Sequence, residues 1–171
     1  MALKLANFAQ FREYQEQVLK NCQALAKGLM SHGVTLVSGG SDNHLVLIDL
    51  RNFKTITGNQ VEKVCDHIGL ALNKNTVPGD RSAINPSGLR VGSPAMTSRG
   101  AVEQDFAKIA EYIVKAIQFT KKTVDANRFK SLTDFTTFIK DDGTARTELS
   151  KLKLEIESFA SKFETVGSKP V

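Results

Sequence analysis

The fold is constrained most by a nearly continuous apolar run, LVLIDL, at residues 45–50. A short apolar run bounded by glycine and polar residues is typical of a buried β-strand. A second, β-branched run lies at residues 34–37, and glycines at 39–40 separate the two runs. We therefore expect two strands here, and their apolar side chains require other elements to cover them.

Helical periodicity surrounds these two strands. Thr57 and Gln60 have the spacing of a capping box, which marks the start of the helix that follows the second strand. Apolar residues recur at three- and four-residue spacing in five segments: 11–29, 61–72, 102–117, 132–139 and 149–163. The predicted order is helix, two strands, helix, loop, strand and three helices. The predicted fold class is α/β (α+β), a sandwich with a small, mainly antiparallel sheet covered by helices.

The chain has the size and composition of one compact domain. Its 171 residues, 41% of them hydrophobic, suffice for a single packed core. Residues 1–33 are predicted to form a long N-terminal helix, and the amphipathic start MALKL suggests that this helix continues from a preceding segment. Residues 34–171 are predicted to form the rest of the domain, ending in a tail at 167–171.

The charge of +5 and the pI of about 9.2 are compatible with a nucleic-acid partner, an anionic small molecule or solubility alone. The lysines are dispersed and no nucleic-acid motif is present, so nucleic acid is not favoured as a partner. No run of about eighteen apolar residues and no secretory leader is present either. We therefore expect no membrane partner and a soluble, intracellular protein.

The cysteines and histidines do not have the spacing of a metal site. Cys22 and Cys65 lie far apart on apolar helix faces, which predicts buried structural thiols. His32, His44 and His67 are predicted at a helix end, a strand start and a helix face, and no HExxH motif occurs. We predict no metal ligands, and the chain contains no catalytic triad spacing and no P-loop.

A long segment at residues 73–94 is the best place to look for a site. It holds three prolines, three glycines and a short extended LRV at 89–91. Loops of this length without repeated structure are uncommon in compact domains and often serve function. Residue patterns alone thus indicate an α/β domain with one suspicious loop.

Three segments, in the same order along the chain, resemble serine hydroxymethyltransferases: GGSDNHLVLIDLR at 39–51, NKNTVPGDRSA at 73–83 and SGLRVGSPAMTSRG at 87–100. The PGDRS form at 78–82 is closer to the eukaryotic branch. The resemblance implies the C-terminal small domain of a fold-type I aminotransferase-like enzyme. Residues 1–33 would then continue from a large domain that this chain lacks.

The resemblance also implies an activity for the parent protein. The family interconverts serine and glycine and passes a one-carbon unit to tetrahydrofolate, with pyridoxal phosphate as cofactor. The threonine-rich His-Lys segment that carries the cofactor lysine in the family does not occur in this sequence. We therefore expect the cofactor to be bound by the large domain, no catalytic or cofactor-binding residue in this chain, and no activity of the chain alone.

The same resemblance implies serine, glycine and folate as ligands, a dimeric or tetrameric parent, and a cytoplasmic or mitochondrial location. A different class of function, a stand-alone basic interaction or RNA-binding module, is the alternative. It would use the positive charge of the chain without catalysis.

Three site residues follow from the resemblance. Arg90 matches the arginine that binds the substrate carboxylate, Asn75 matches the contact to the folate pteridine, and Lys74 could meet the carboxylates of the folate tail. Gly88 and Gly92 flank Arg90 and would let backbone approach a ligand. Without the resemblance, an arginine in a surface ion pair on an edge strand and a turn asparagine are the simpler interpretations.

Overall fold

The computed structural model describes residues 2–166, so the predicted tail at 167–171 lies outside the described residues. Seven helices occur within that range: α1 (Ala2–Leu5), α2 (Ala9–Ser31), α3 (Gly58–Ile68), α4 (Pro94–Ser98), α5 (Glu103–Ala126), α6 (Leu132–Asp141) and α7 (Gly143–Ala160). Four strands accompany them: β1 (Thr35–Leu36), β2 (Leu45–Asp49), β3 (Asn73–Asn75) and β4 (Gly88–Gly92). None of the helices in residues 2–166 is long and apolar enough to cross a membrane.

The strands form one sheet in the order β1-β2-β4-β3, and every neighbouring pair is antiparallel. The predicted fold class is therefore confirmed. The prediction for residues 73–94 was incomplete, because β3 forms an edge strand where we expected only loop. Its pairing with β4 places Asn73 opposite Arg90 and Asn75 opposite Gly88.

The two faces of the sheet differ in burial. The core face carries the buried apolar strand residues and packs against the helices, in one cluster with apolar side chains of α2, α3 and α5. Its side chains are Leu36, Val46, Ile48, Leu89 and Val91. Because successive strand residues point to opposite sides, the residues between these form a second face. We call this second face the outer face.

Helices α2 and α5 pack at very close range through Gly28. A Cβ atom at Gly28 would lie 2.7 Å from the Cβ of Ala110. The absence of a side chain at this position therefore lets the two helix backbones approach. Continuous helix covers residues 9–31, since α1 and α2 are separated at residues 6–8. The continuation of this helix from a preceding segment stays a prediction.

Buried hydrogen bonds fix α4, and with it the end of β4, against α2. Ser93 Oγ donates to the carbonyl oxygen of Val18 at 2.7 Å. Asn21 Nδ2 donates both to Thr97 Oγ1 and to the carbonyl oxygen of Ala101, each at 2.8 Å. Ser93 and Asn21 are fully buried, so these bonds satisfy groups that would otherwise be costly to desolvate.

Helix termini agree with the sequence patterns at most positions. The capping box of Thr57 and Gln60 is present at the start of α3. Ser131 caps α6 by accepting a hydrogen bond from the backbone of Asp134. Asp142 follows α6 as its C-cap, and its carboxylate caps α7, which begins at Gly143. Two helices thus share one polar junction residue.

We predict that Gly28→Leu destabilises the fold by about 1–3 kcal/mol, because the added side chain has no space beside Ala110. The loss should occur even though leucine favours a helix more than glycine does. The matched control is Gly143→Leu, since Gly143 also lies in a helix but has open space around it. Urea unfolding of both variants measures the difference. Equal stabilities would show that α2 and α5 tolerate a wider separation.

Candidate functional site

The outer face of the sheet is half exposed and carries most of the residues that the sequence singled out. Antiparallel partners lie on the same face, so the register assigns its members directly. They are Thr35, Leu45, Leu47, Asp49, Asn73, Asn75, Gly88, Arg90 and Gly92. Apart from Leu45 and Leu47, polar and small residues take the place of the apolar side chains of the core face, as expected for a surface that meets solvent or a ligand.

Arg90 lies at the centre of this face. It occupies the middle of β4, a central strand, between Leu47 on β2 and Asn73 on β3. Its side chain is exposed, and among residues 2–166 this side chain makes no hydrogen bond and no ion pair. A surface ion pair on an edge strand therefore does not describe this arginine. A guanidinium with all its donors available can bind a carboxylate or phosphate through two parallel hydrogen bonds.

Asn75 and Lys74 lie on opposite faces of the sheet, although they are adjacent in sequence. Asn75 shares the outer face with Arg90, and its diagonal position places the two Cα atoms about 7–8 Å apart. Lys74 points toward α3, where its Nζ donates to Oδ1 of Asn59 at 2.6 Å. The structure thus brings Asn75 together with Arg90 and places Lys74 elsewhere.

Gly88 is needed for packing within the protein. A Cβ atom there would lie 2.5 Å from Cγ1 of Val77, 2.6 Å from the carbonyl oxygen of Ile48 and 2.9 Å from that of Asn75. The close approach that we expected from a ligand is therefore made by the protein itself at this position. Gly92 is less crowded, because a Cβ atom there would lie 3.1 Å from its nearest neighbour, the carbonyl oxygen of His44.

Residues 76–87 form a loop that is closed at its base by Asp80. One carboxylate oxygen of Asp80 accepts hydrogen bonds from the backbone N–H groups of Val77, at 3.0 Å, and Ser87, at 2.8 Å. The hydrogen bonds from Ser87 lower the pKa of Asp80 below its ordinary value. Farther along, Asn59 Nδ2 donates to the carbonyl oxygen of Ile84 at 2.7 Å. The loop is therefore attached to α3 as well as to the sheet.

An ion pair between Asp49 and Arg51 borders the outer face, and sequence reasoning did not identify it. Arg51 Nη2 lies 2.6 Å from Oδ2 of Asp49, and Arg51 Nε donates to both carboxylate oxygens. The hydrogen bonds from Arg51 lower the pKa of Asp49. Arg51 Nη1 also donates to the carbonyl oxygen of Pro78 at 3.1 Å, so the pair contacts the loop. In the sequence, the one feature that pointed to this ion pair was the acidic residue at the end of an apolar strand.

The remaining reactive groups have structural surroundings. Cys22 and Cys65 are buried, as predicted, and burial raises the pKa of both thiols, which keeps them protonated. Burial lowers the pKa of His67, helped by the charges of Lys153 and Lys140. No cluster of three or more His, Cys, Asp or Glu side chains suited to a metal occurs in residues 2–166.

Six of the 23 lysines and arginines are paired on the helices. Six lysines form ion pairs with acidic side chains: Lys63, Lys108, Lys115, Lys121, Lys122 and Lys153. Exposed pairs of this kind contribute little to stability, but each one neutralises a lysine charge locally. This distribution gives no support to a nucleic-acid-binding surface, which requires a continuous basic patch.

Comparison with known proteins agrees with the family resemblance of the three sequence segments. Residues 1–113 match the model of the family described as serine hydroxymethyltransferase. The chain is 45% identical over 168 residues to the cytosolic serine hydroxymethyltransferase of Oryctolagus cuniculus, covering 98% of this chain and 34% of the relative. Identity is 44% to the chloroplastic serine hydroxymethyltransferase 3 of Arabidopsis thaliana, covering 98% of this chain and 32% of the relative. It is 46% to the cytosolic protein of Candida albicans, with coverages of 95% and 34%. The chain spans about a third of the length of these relatives.

We predict that Asp80→Ala loosens the loop at residues 76–87 without unfolding the sheet. The backbone amides of Val77 and Ser87 lose their acceptor, and their hydrogen-exchange protection should fall roughly two- to tenfold. The matched control is Asp42→Ala, which removes a carboxylate from another loop.

The same bond makes the loop of the unchanged chain sensitive to acid. Because the folded pKa of Asp80 lies below the unfolded one, its contribution is complete above about pH 4 and is lost as the pH falls through the lowered pKa. Protection factors corrected for intrinsic exchange should decline over that range. Equal protection in Asp80→Ala and in the unchanged chain would show that the loop is held by its other contacts.

Proposed function

The chain belongs to the serine hydroxymethyltransferase family, and we propose that it is the C-terminal small domain of an enzyme that interconverts serine and glycine. In this proposal the parent enzyme passes the one-carbon unit to tetrahydrofolate. The chain supplies part of the substrate site and the remaining two thirds of the protein supplies the rest.

The observation that carries this proposal is the exposed side chain of Arg90, which is unpaired within the described residues. Its guanidinium lies on a central strand, is exposed, and has no partner of its own within residues 2–166. An amino-acid carboxylate is a planar acceptor that matches the two-pronged geometry of a guanidinium. Lysine would supply the charge without that geometry. We infer that Arg90 binds and orients the carboxylate of serine or glycine.

Pyridoxal phosphate, when bound, supplies the electron sink for this chemistry. The described residues do not offer a site for it, because none of the buried side chains in residues 2–166 is a lysine or an arginine. A cofactor lysine needs a desolvated position to be reactive near neutral pH. We therefore propose that a large domain of the parent enzyme binds the cofactor, and we assign this chain no catalytic residue.

For the folate, the position of Asn75 is the more favourable of the two predicted contacts. Its amide has both a donor and an acceptor for a pteridine edge, and it shares the outer face with Arg90. Within residues 2–166 its Nδ2 group donates only to the carbonyl oxygen of Thr76, a local bond that a ligand could replace. Lys74 could reach a folate tail only by leaving Asn59, so we propose it as a peripheral contact.

The assembly and location of the parent enzyme are part of the same proposal. We propose a homo-oligomer, dimeric or tetrameric, in the cytoplasm or the mitochondrion. Relatives include proteins named as cytosolic and as chloroplastic, so compartments differ within the family.

We predict that Arg90→Lys in the full-length enzyme raises the KM for serine and leaves folding nearly unchanged. Removing one partner of a desolvated, hydrogen-bonded charge pair costs roughly 2–5 kcal/mol. That cost corresponds to a loss of about 30- to 3,000-fold in kcat/KM. Steady-state kinetics on serine, with the melting temperature measured alongside, provide the test.

Arg146→Lys is the matched control. Arg146 is an exposed arginine on α7, a helix that is far in sequence from the strands that form the outer face. It should keep wild-type kinetics. If Arg90→Lys retains kcat/KM within about threefold, or loses activity only in proportion to its stability, Arg90 does not bind the carboxylate.

We also predict that the chain alone, mixed with pyridoxal phosphate and serine, releases no glycine. The lysines within residues 2–166 are exposed or paired with other side chains, so none of them should react with the cofactor selectively. Absorbance spectra and borohydride reduction followed by peptide mass analysis measure this. Modification of one lysine in preference to the others, accompanied by glycine release, would contradict the assignment of the cofactor to a large domain.

A further inference from the structure

We propose that Arg51 is a positioning residue that keeps the carboxylate of Asp49 from pairing with Arg90. The inference rests on the proposed function, in which Arg90 must be free to bind a substrate carboxylate. It adds a device, built into the sheet, that protects the substrate arginine from an acid of the same protein.

The register of the sheet places Asp49 close to Arg90. Leu47 is the direct partner of Arg90 on β2, and Asp49 follows two residues later on the same face. Such diagonal neighbours are within reach of long side chains. An arginine with an acid at this spacing can form an ion pair, and in this structure Arg90 forms none within residues 2–166.

Arg51 accounts for this difference. It engages both oxygens of Asp49, through Nε at 3.0 and 3.1 Å and through Nη2 at 2.6 Å. The backbone N–H of Arg51 adds a bond of 2.9 Å to Oδ1. The Asp49 side chain is 13% exposed, so little of this carboxylate remains available to another cation.

A second carboxylate at this end of the sheet, that of Asp80, is also engaged. Asp80 accepts its two backbone hydrogen bonds from the loop through a single oxygen, and it is fixed in place by them. Asp49 is therefore the acid that Arg51 must restrain. The loop contact from Arg51 Nη1 to Pro78 anchors the restraining guanidinium at its other end.

Replacing Arg51 would release Asp49 to compete for Arg90. In Arg51→Met, a fraction of the enzyme should hold Arg90 paired with Asp49, and the apparent affinity for substrate falls by that fraction. The strength usual for exposed pairs gives a rise in the KM for serine of about two- to sixfold. The kcat should remain unchanged, because saturating serine displaces Asp49.

The decisive variant is the double substitution Asp49→Asn with Arg51→Met in the full-length enzyme. It removes the competing charge and should return the KM for serine to within about 1.5-fold of the wild type. Arg51→Lys, which keeps a cation beside Asp49, should raise the KM less than Arg51→Met does. Melting temperatures of all variants separate these effects from unfolding.

Two results would overturn the inference. An unchanged KM in Arg51→Met would show that Asp49 does not reach Arg90. A raised KM that persists in the double variant would assign Arg51 only to anchoring Pro78 and the loop. Both are distinguishable from failure of the proposed function, which appears as near wild-type kinetics in Arg90→Lys.

Discussion

Gly88 is the point where the sheet, the loop and α3 meet, and the arrangement of the outer face depends on it. Val77 covers Gly88 on the outer side, while the place of a Cβ at Gly58 on α3 is taken by the carbonyl oxygen of Gly88. Neither contact is compatible with a side chain at the two glycines. Because Arg90 lies two residues farther along β4, this crowded crossing sets the distance between Arg90 and the loop that follows Asn75.

The short helix α4, at Pro94–Ser98, was not predicted, whereas the five longer helices and the strand β2 could be predicted because each has a local signal, either period-3.6 or continuous apolar character. β3 could not. Its three residues, NKN, have low strand propensity and no apolar alternation, so only pairing with β4 makes them a strand. Without this strand, the sequence could not predict that Lys74 and Asn75 lie on opposite faces, because alternation along β3 separates their side chains.

The site was predictable to different depths for different residues. Arg90 and Asn75 were predicted through resemblance, and the structure adds that they share one face. The ion pair between Arg51 and Asp49 was not predicted. Its relation to Arg90 depends on the register of β2 against β4, which tertiary pairing determines. Arg99 lies in the same segment as Arg90 but has a structural role. It donates to the carbonyl oxygen of Ala160, the last residue of α7, and to that of Phe163 just beyond it.

Both edges of the sheet are very short, with two residues in β1 and three in β3. Unpaired edge strands expose rows of N–H and C=O groups on which other chains can add strands and start to aggregate. Here the longer apolar strands lie inside the sheet, and the edge beside Arg90 is made of asparagine and lysine. The outer face can thus stay open to solvent while the sheet offers a second molecule almost no template for growth.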